Sequence, residues 1–150
     1  MIGIIIISHG ILADGLLESS KMLCGESAGV VSAKLEPTDS PDMFRKKLEI
    51  AIEKVDEGEG ILILADIPGG TPANQGVLLQ KHRDDIEVIT GVNVPLLIEA
   101  IMMRGKMSLP LLLEHLLNVG KESIESPMSK LDKESNLKNS DDQLDQLITG

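Results

Sequence analysis

Four isoleucines in a row, Ile4 to Ile7, constrain this chain more than any other feature of its sequence. They sit inside a short apolar run over residues 2–8 that Gly10 closes. Successive side chains of an extended strand point to opposite faces, so a run without polar alternation needs cover on both sides. Such a strand belongs inside a parallel sheet flanked by helices, and its β-branched side chains disfavour a helix over the same residues.

The rest of the chain repeats the theme. Residues 11–23 carry Ile11, Leu12, Leu16, Leu17, Met22 and Leu23 at helical spacing, with Gly25 as a stop. Residues 30–35 read as a second strand. Ser40 before Pro41 is an N-cap with proline in the first turn, opening a helix through Met43, Leu48, Ile52 and Val55. Residues 60–66 form a third apolar strand. Thr71-Pro72 repeats the cap-and-proline signature and starts a helix through Val77, Leu78 and Gln80. Residues 86–90 are the fourth strand, Asn93-Val94-Pro95 leads into an apolar helix over 96–103, and Ser108-Leu109-Pro110 opens another through Leu117.

This alternation predicts the α/β class: a doubly wound three-layer sandwich with a mostly parallel central sheet, right-handed crossovers and helices on both faces. One domain over residues 1–128 accounts for it. Residues 129–150, behind Pro127, are rich in Ser, Lys, Asp and Asn, and read as a polar tail, either disordered or a frayed amphipathic helix. Alternatively, residues 122–128 supply a short edge strand paired to another subunit.

Composition removes several functions. Fourteen Lys and Arg against 24 Asp and Glu give a net charge of −10, which disfavours nucleic acid and anionic membrane as partners. Phe44 is the one aromatic residue, so base-stacking platforms cannot be built. Cys24 stands alone, which excludes an internal disulfide or a multi-cysteine metal site and fits a small core hydrophobe on a helix. The apolar N-terminus lacks a basic leader and is interrupted by Ser8-His9-Gly10, unlike a signal peptide. No apolar stretch reaches the roughly 20 residues that span a bilayer. A cytoplasmic protein is expected.

In open α/β sheets, ligands bind beyond the carboxyl ends of the strands. Three loops leave such ends here: Ser8-His9-Gly10-Ile11; Asp66-Ile67-Pro68-Gly69-Gly70-Thr71-Pro72-Ala73-Asn74; and Gly91-Val92-Asn93-Val94-Pro95. If the first and third strands are neighbours, His9 and Asp66 share a crevice. A carboxylate on one imidazole nitrogen fixes the tautomer and frees the other nitrogen as a nucleophile, although the same pair also serves as an inert ion pair. Gly69 and Gly70 before a helix start expose backbone N–H groups to an anion, or else make a plain tight turn. Neither a Walker A loop nor a GxGxxG pattern is present. His82 and His115 fall in helical contexts as surface residues, leaving no metal ligand set. A nucleophilic imidazole, an orienting carboxylate and an anion cradle together point to phosphoryl transfer through phosphohistidine, with no cofactor.

At these residues the sequence resembles the enzyme IIA component of the mannose family of the bacterial sugar phosphotransferase system. The matching pieces are Ile5-Ile6-Ile7-Ser8-His9-Gly10, Asp66 to Asn74, and Gly91-Val92-Asn93-Val94-Pro95 followed by Glu99, in order over about residues 1–125. The resemblance implies four parallel strands, with an antiparallel edge strand exchanged in a homodimer. It implies that His9 accepts a phosphoryl group from HPr and passes it to a histidine of enzyme IIB. IIB then phosphorylates a sugar entering through the membrane components IIC and IID. Asp66 would orient the His9 ring, Thr71 would offer its hydroxyl and N–H to the phosphoryl oxygens, and Gly10, Gly69 and Gly70 would shape the cradle. Ile11, Ile67 and Pro68 are candidates for an apolar ring on which partners dock in turn.

Three alternatives differ in class. The phosphoryl-donor subunit of a dihydroxyacetone kinase shares the histidine-bearing strand, but the stretch from Gly69 to Asn74 is not expected in it. A non-enzymatic regulatory module would sense an anion through the cradle alone. A small hydrolase on His9 and Asp66 is disfavoured, because no Ser or Cys sits in a strained elbow.

Overall fold

The isoleucine run becomes an interior strand of a parallel sheet in a computed structural model that describes residues 1–134 and 140–149. Strands β1 (Gly3–His9), β2 (Val30–Leu35), β3 (Ile61–Ala65) and β4 (Ile86–Thr90) are arranged in the order β2-β1-β3-β4. All three pairings are parallel. Ile4 to Ile7 and the whole of β3 are fully buried, as a strand covered on both faces must be. The edge strands tolerate polar residues at half-buried positions, with Ser32 and Lys34 in β2 and Glu87 in β4.

Alternation sends the two halves of β1 into separate cores. Ile4 and Ile6 join Leu62, Leu64 and Ile89 under α1 (Leu12–Cys24), α4 (Val94–Met103) and α5 (Leu109–Glu122). Ile5 and Ile7 join Ile61, Ile63 and Ile86 under α2 (Pro41–Val55) and α3 (Thr71–Gln80). The result is the three-layer sandwich expected. Ser40 accepts the Met43 N–H and Asn93 the Leu96 N–H; α2 starts where cap and proline placed it, and α4 starts at Val94, two residues before the expected 96. Cys24, expected in the core, is half-buried at the end of α1 and donates to the Ser20 carbonyl.

In the single chain residues 123–126 lie between α5, which runs to Glu122, and α6 (Pro127–Glu134), and the sheet has four parallel strands among the described residues. The polar segment adopts the helical alternative in α6 and in α7 (Ser140–Thr149), and the same expectation for residues 135–139 and 150 lies outside the described residues. The chain divides into two compact units, Met1–Gly120 and Lys121–Gly150. In the second, α6 packs on α7.

The chain winds from β1 to β2 on one side, then returns to place β3 on the other. The winding direction reverses between β1 and β3, and a crevice opens there beyond the carboxyl ends. At the opposite ends of the strands sits Arg104, 5% exposed. Its Nη1 donates to the carbonyls of Ile2 and Gly29, and its Nη2 to that of Ala28. Desolvation pushes the guanidinium below its usual pKa range, with Glu57 pulling weakly the other way. Replacing it with methionine keeps most of the volume but takes the guanidinium from the Ile2 and Ala28 carbonyls, while that of Gly29 keeps the Ile4 N–H. Arg104→Met should therefore lower unfolding free energy by about 2–4 kcal/mol, read from urea denaturation, without altering the crevice.

Candidate functional site

His9 is the last residue of β1, one step further into the strand than a loop residue would be, and it pairs with Leu35 of β2. Its ring is nearly half exposed, while Asp66, one residue past β3, keeps 9% of its side chain exposed. A single carboxylate oxygen joins them. Asp66 Oδ2 accepts the His9 backbone N–H at 2.9 Å and lies 2.7 Å from His9 Nδ1. Oδ1 accepts the Ile67 N–H at 2.8 Å.

Burial is the largest single influence on the Asp66 carboxyl and pushes it up. Donation from the His9 backbone, the His9 ring and the Ile67 N–H together outweighs burial and holds the group below the usual carboxylate range. The carboxylate is therefore ionised at neutral pH and can only accept. Nδ1 must carry the proton, which leaves a lone pair on Nε2.

On the other side the ring lies against Gly70. A Cβ added there would stand 2.5 Å from His9 Cε1 and 3.0 Å from Nε2. Gly70, not Thr71, is the N-cap of α3: its φ and ψ of −86° and 168° are extended, and its carbonyl accepts the Asn74 N–H. Thr71 is then the first helical residue, with Pro72 second. No side chain caps this end. The N–H groups of Thr71 and Ala73 have no acceptor within the helix, Pro72 brings none, and the helix dipole adds positive potential. Gly69 takes the left-handed turn before the cap, with φ 80°, and Asn74 Nδ2 bonds its carbonyl at 3.2 Å.

The structure thus brings His9, Asp66, Gly69, Gly70 and the start of α3 together. Gly10 enters differently from its expected place in the cradle. Its N–H donates to the Leu35 carbonyl at 2.9 Å, so it has no donor to spare, and its φ of 57° turns the chain from β1 into α1. Ile11, Ile67 and Pro68 are exposed beside the site, the first two at 73% and 53%. Leu12, half exposed in the first turn of α1, belongs with them, although periodicity alone had assigned it to the helix's apolar stripe.

The third loop contributes through its backbone. Gly91 donates to the Asp66 carbonyl at 3.1 Å, and Asn93 caps α4 while its Nδ2 reaches Gly120. Glu99, four residues on from Pro95, is 2.8 Å from His115 Nε2. His115 is therefore a half-buried link between α4 and α5 and not a free surface residue; His82 is exposed. No group of His, Cys, Asp and Glu among the described residues is arranged to hold a metal ion. No described helix is long and apolar enough to cross a membrane.

The model of the PTS system fructose IIA component family matches residues 3–117. The PTS system mannose-specific EIIAB component of Escherichia coli K12 is 35% identical over 103 residues, 69% of this chain. That match spans only 32% of the length of the E. coli protein. The PTS system fructose-specific EIIA component of Bacillus subtilis is 29% identical over 133 residues, 89% of this chain and 91% of that protein. Among solved structures, phosphotransferase system component EIIA from Streptococcus agalactiae superposes with a TM-score of 0.78 at 30% identity, covering 84% of this chain and 97% of that one. The mannose/sorbose specific IIA subunit from Enterococcus faecalis gives 0.76 at 25% identity, over 83% and 93%.

The Asp66 interaction has a pH signature. A carboxyl whose pKa in the folded chain lies below its unfolded value of about 3.9 stabilises the fold above that value. The gain is lost as pH falls through the folded pKa. Asp66→Asn should therefore unfold at lower urea than the parent at neutral pH, and the gap should close as the pH is taken from about 4 to about 2.

Proposed function

The chain belongs to the PTS system fructose IIA component family, and from that premise we propose that it is a phosphocarrier of a sugar phosphotransferase system with His9 as its phosphoryl site. One observation carries the assignment: Asp66 Oδ2 holds both the backbone N–H and Nδ1 of His9, so that the Nε2 lone pair is left free on a half-exposed ring. Nε2 is the nucleophile. Its lone pair forms the bond to phosphorus as the bond from phosphorus to HPr breaks, and HPr leaves with that electron pair.

Using the Nε2 lone pair leaves positive charge on the ring, because Nδ1 keeps its proton. The ionised Asp66 neutralises that charge through the bond already in place, so no group needs to move. The phosphoryl oxygens fall to the open amides of Thr71 and Ala73 and to the Thr71 hydroxyl, with Gly69 and Gly70 keeping side chains out of the way. Onward transfer to a histidine of enzyme IIB reverses the same step. Ile11, Leu12, Ile67 and Pro68 give HPr and IIB one apolar landing surface, and the net charge of −10 steers a basic partner face toward it. By the same resemblance the protein works as a homodimer in the cytoplasm, peripheral to IIC and IID, which it serves through IIB.

Phosphoenolpyruvate, the first phosphotransferase enzyme and HPr should together place an acid-labile phosphate on the chain. His9→Ala should abolish the label; a label that persists would overturn the assignment. Asp66→Asn should slow labelling by about 10- to 100-fold, since the ring loses the partner that sets its tautomer. Gly70→Ala, whose backbone angles suit alanine but whose Cβ meets the ring, should slow it by about 100-fold while leaving urea stability nearly unchanged.

A further inference from the structure

Four polar or charged residues are buried as whole residues among the described ones: Ser8, Ser20, Gln75 and Arg104. Ser20 bonds its own helix, Gln75 accepts from Arg45 between α2 and α3, and Arg104 ties the far ends of the strands. Ser8 is the one beside the phosphoryl site, and nothing in the mechanism above uses it. It is fully buried, and strand alternation turns it to the α1 face of the sheet while His9 faces Gly70.

Its hydroxyl does two things. It accepts the Ala13 N–H at 2.7 Å and donates to the Gly10 carbonyl at 3.0 Å. The first bond replaces a missing cap: Ile11, the N-cap of α1, is helical in its own backbone and offers no side-chain oxygen. The second bond holds Gly10 in the left-handed turn that follows His9 directly. His9 is thus gripped from both directions, its N–H by Asp66 and the peptide beyond it by Ser8. The same hydroxyl fixes the first turn of α1, where Ile11 and Leu12 are exposed.

We infer that Ser8 is a positioning residue for His9, acting through the Gly10 turn to keep Nδ1 on Asp66 and Nε2 free, and linking that alignment to the exposed start of α1. The inference rests on the phosphocarrier reading for its consequence in transfer, but its geometric content stands apart from it. Only a hydroxyl both accepts from an amide and donates to a carbonyl here, so alanine loses both bonds and threonine keeps them.

The test measures the ring directly. In wild type, nitrogen NMR of His9 should show one tautomer, protonated at Nδ1. In Ser8→Ala it should show a mixture of both tautomers, and labelling from saturating phospho-HPr should slow by about 10- to 100-fold. Ser8→Thr should restore both. Leu112→Ala, which loosens the fully buried core at α5, provides the control by lowering Tm without changing the tautomer. If Ser8→Ala does not fold, Ser8→Cys keeps the volume with weak hydrogen bonding and should show the same mixture. A Ser8→Ala or Ser8→Cys chain that folds yet keeps the wild-type tautomer, or a Leu112→Ala control that shifts it equally, overturns the inference. The tautomer needs no phosphoryl donor, so a wild-type chain that fails to label would sink the phosphocarrier reading while leaving the role of Ser8 decided by the spectrum.

Discussion

The register between β1 and β3 is the constraint on which the site depends. Both strands are apolar on both faces, so burial alone does not distinguish the observed pairing from a slip of one residue. Directional bonds at the strand ends make the distinction. Asp66 donates its N–H to the Ile7 carbonyl and accepts from the N–H of His9, and Gly3 donates to Gly60 at the other end. Between β1 and β2, Arg104 grips Ile2, Gly29 and Ala28. An aliphatic sheet supplies the cohesion, and a few polar groups supply the alignment. Because Asp66 is one of those groups, the contact that orients the imidazole also locks the strand bearing it.

The electrostatics follow the same economy. In an acidic chain, the positive potential beside the imidazole comes from main-chain dipoles at a helix start, where the charge is fixed by the fold. The Asp66 carboxylate is taken up by His9 and the Ile67 N–H. Held low by three donors, Asp66 stays ionised at neutral pH and faces the ring only as an acceptor.

Much of this was legible in the sequence. The four strands, the class and the meeting of His9 with Asp66 follow from hydrophobic period and from the rule that ligands sit beyond strand ends. What was not legible turns on single hydrogen bonds. Ser-Pro, Thr-Pro and Asn-Val-Pro look alike as helix starts, yet proline is the first helical residue after Ser40 and the second after Gly70 and Asn93. Read as a cap, Thr71 would consume its own oxygen; one place inside the helix, it does not. Gly10 reads as one more phosphate-facing glycine until its N–H is found on Leu35. Ser8, Leu12 and the Glu99–His115 link are pairings across elements, which no periodicity encodes.

Pro72 gives the cradle its most telling property. At the second position of α3 it removes one of three consecutive N–H groups, so the helix start presents a gapped set of donors instead of a full nest. A complete ring of amides would grip an oxyanion tightly and release it slowly. For the carrier role proposed above the opposite balance is the useful one: enough hold to keep water from claiming the cargo, too little to make the stop a resting place.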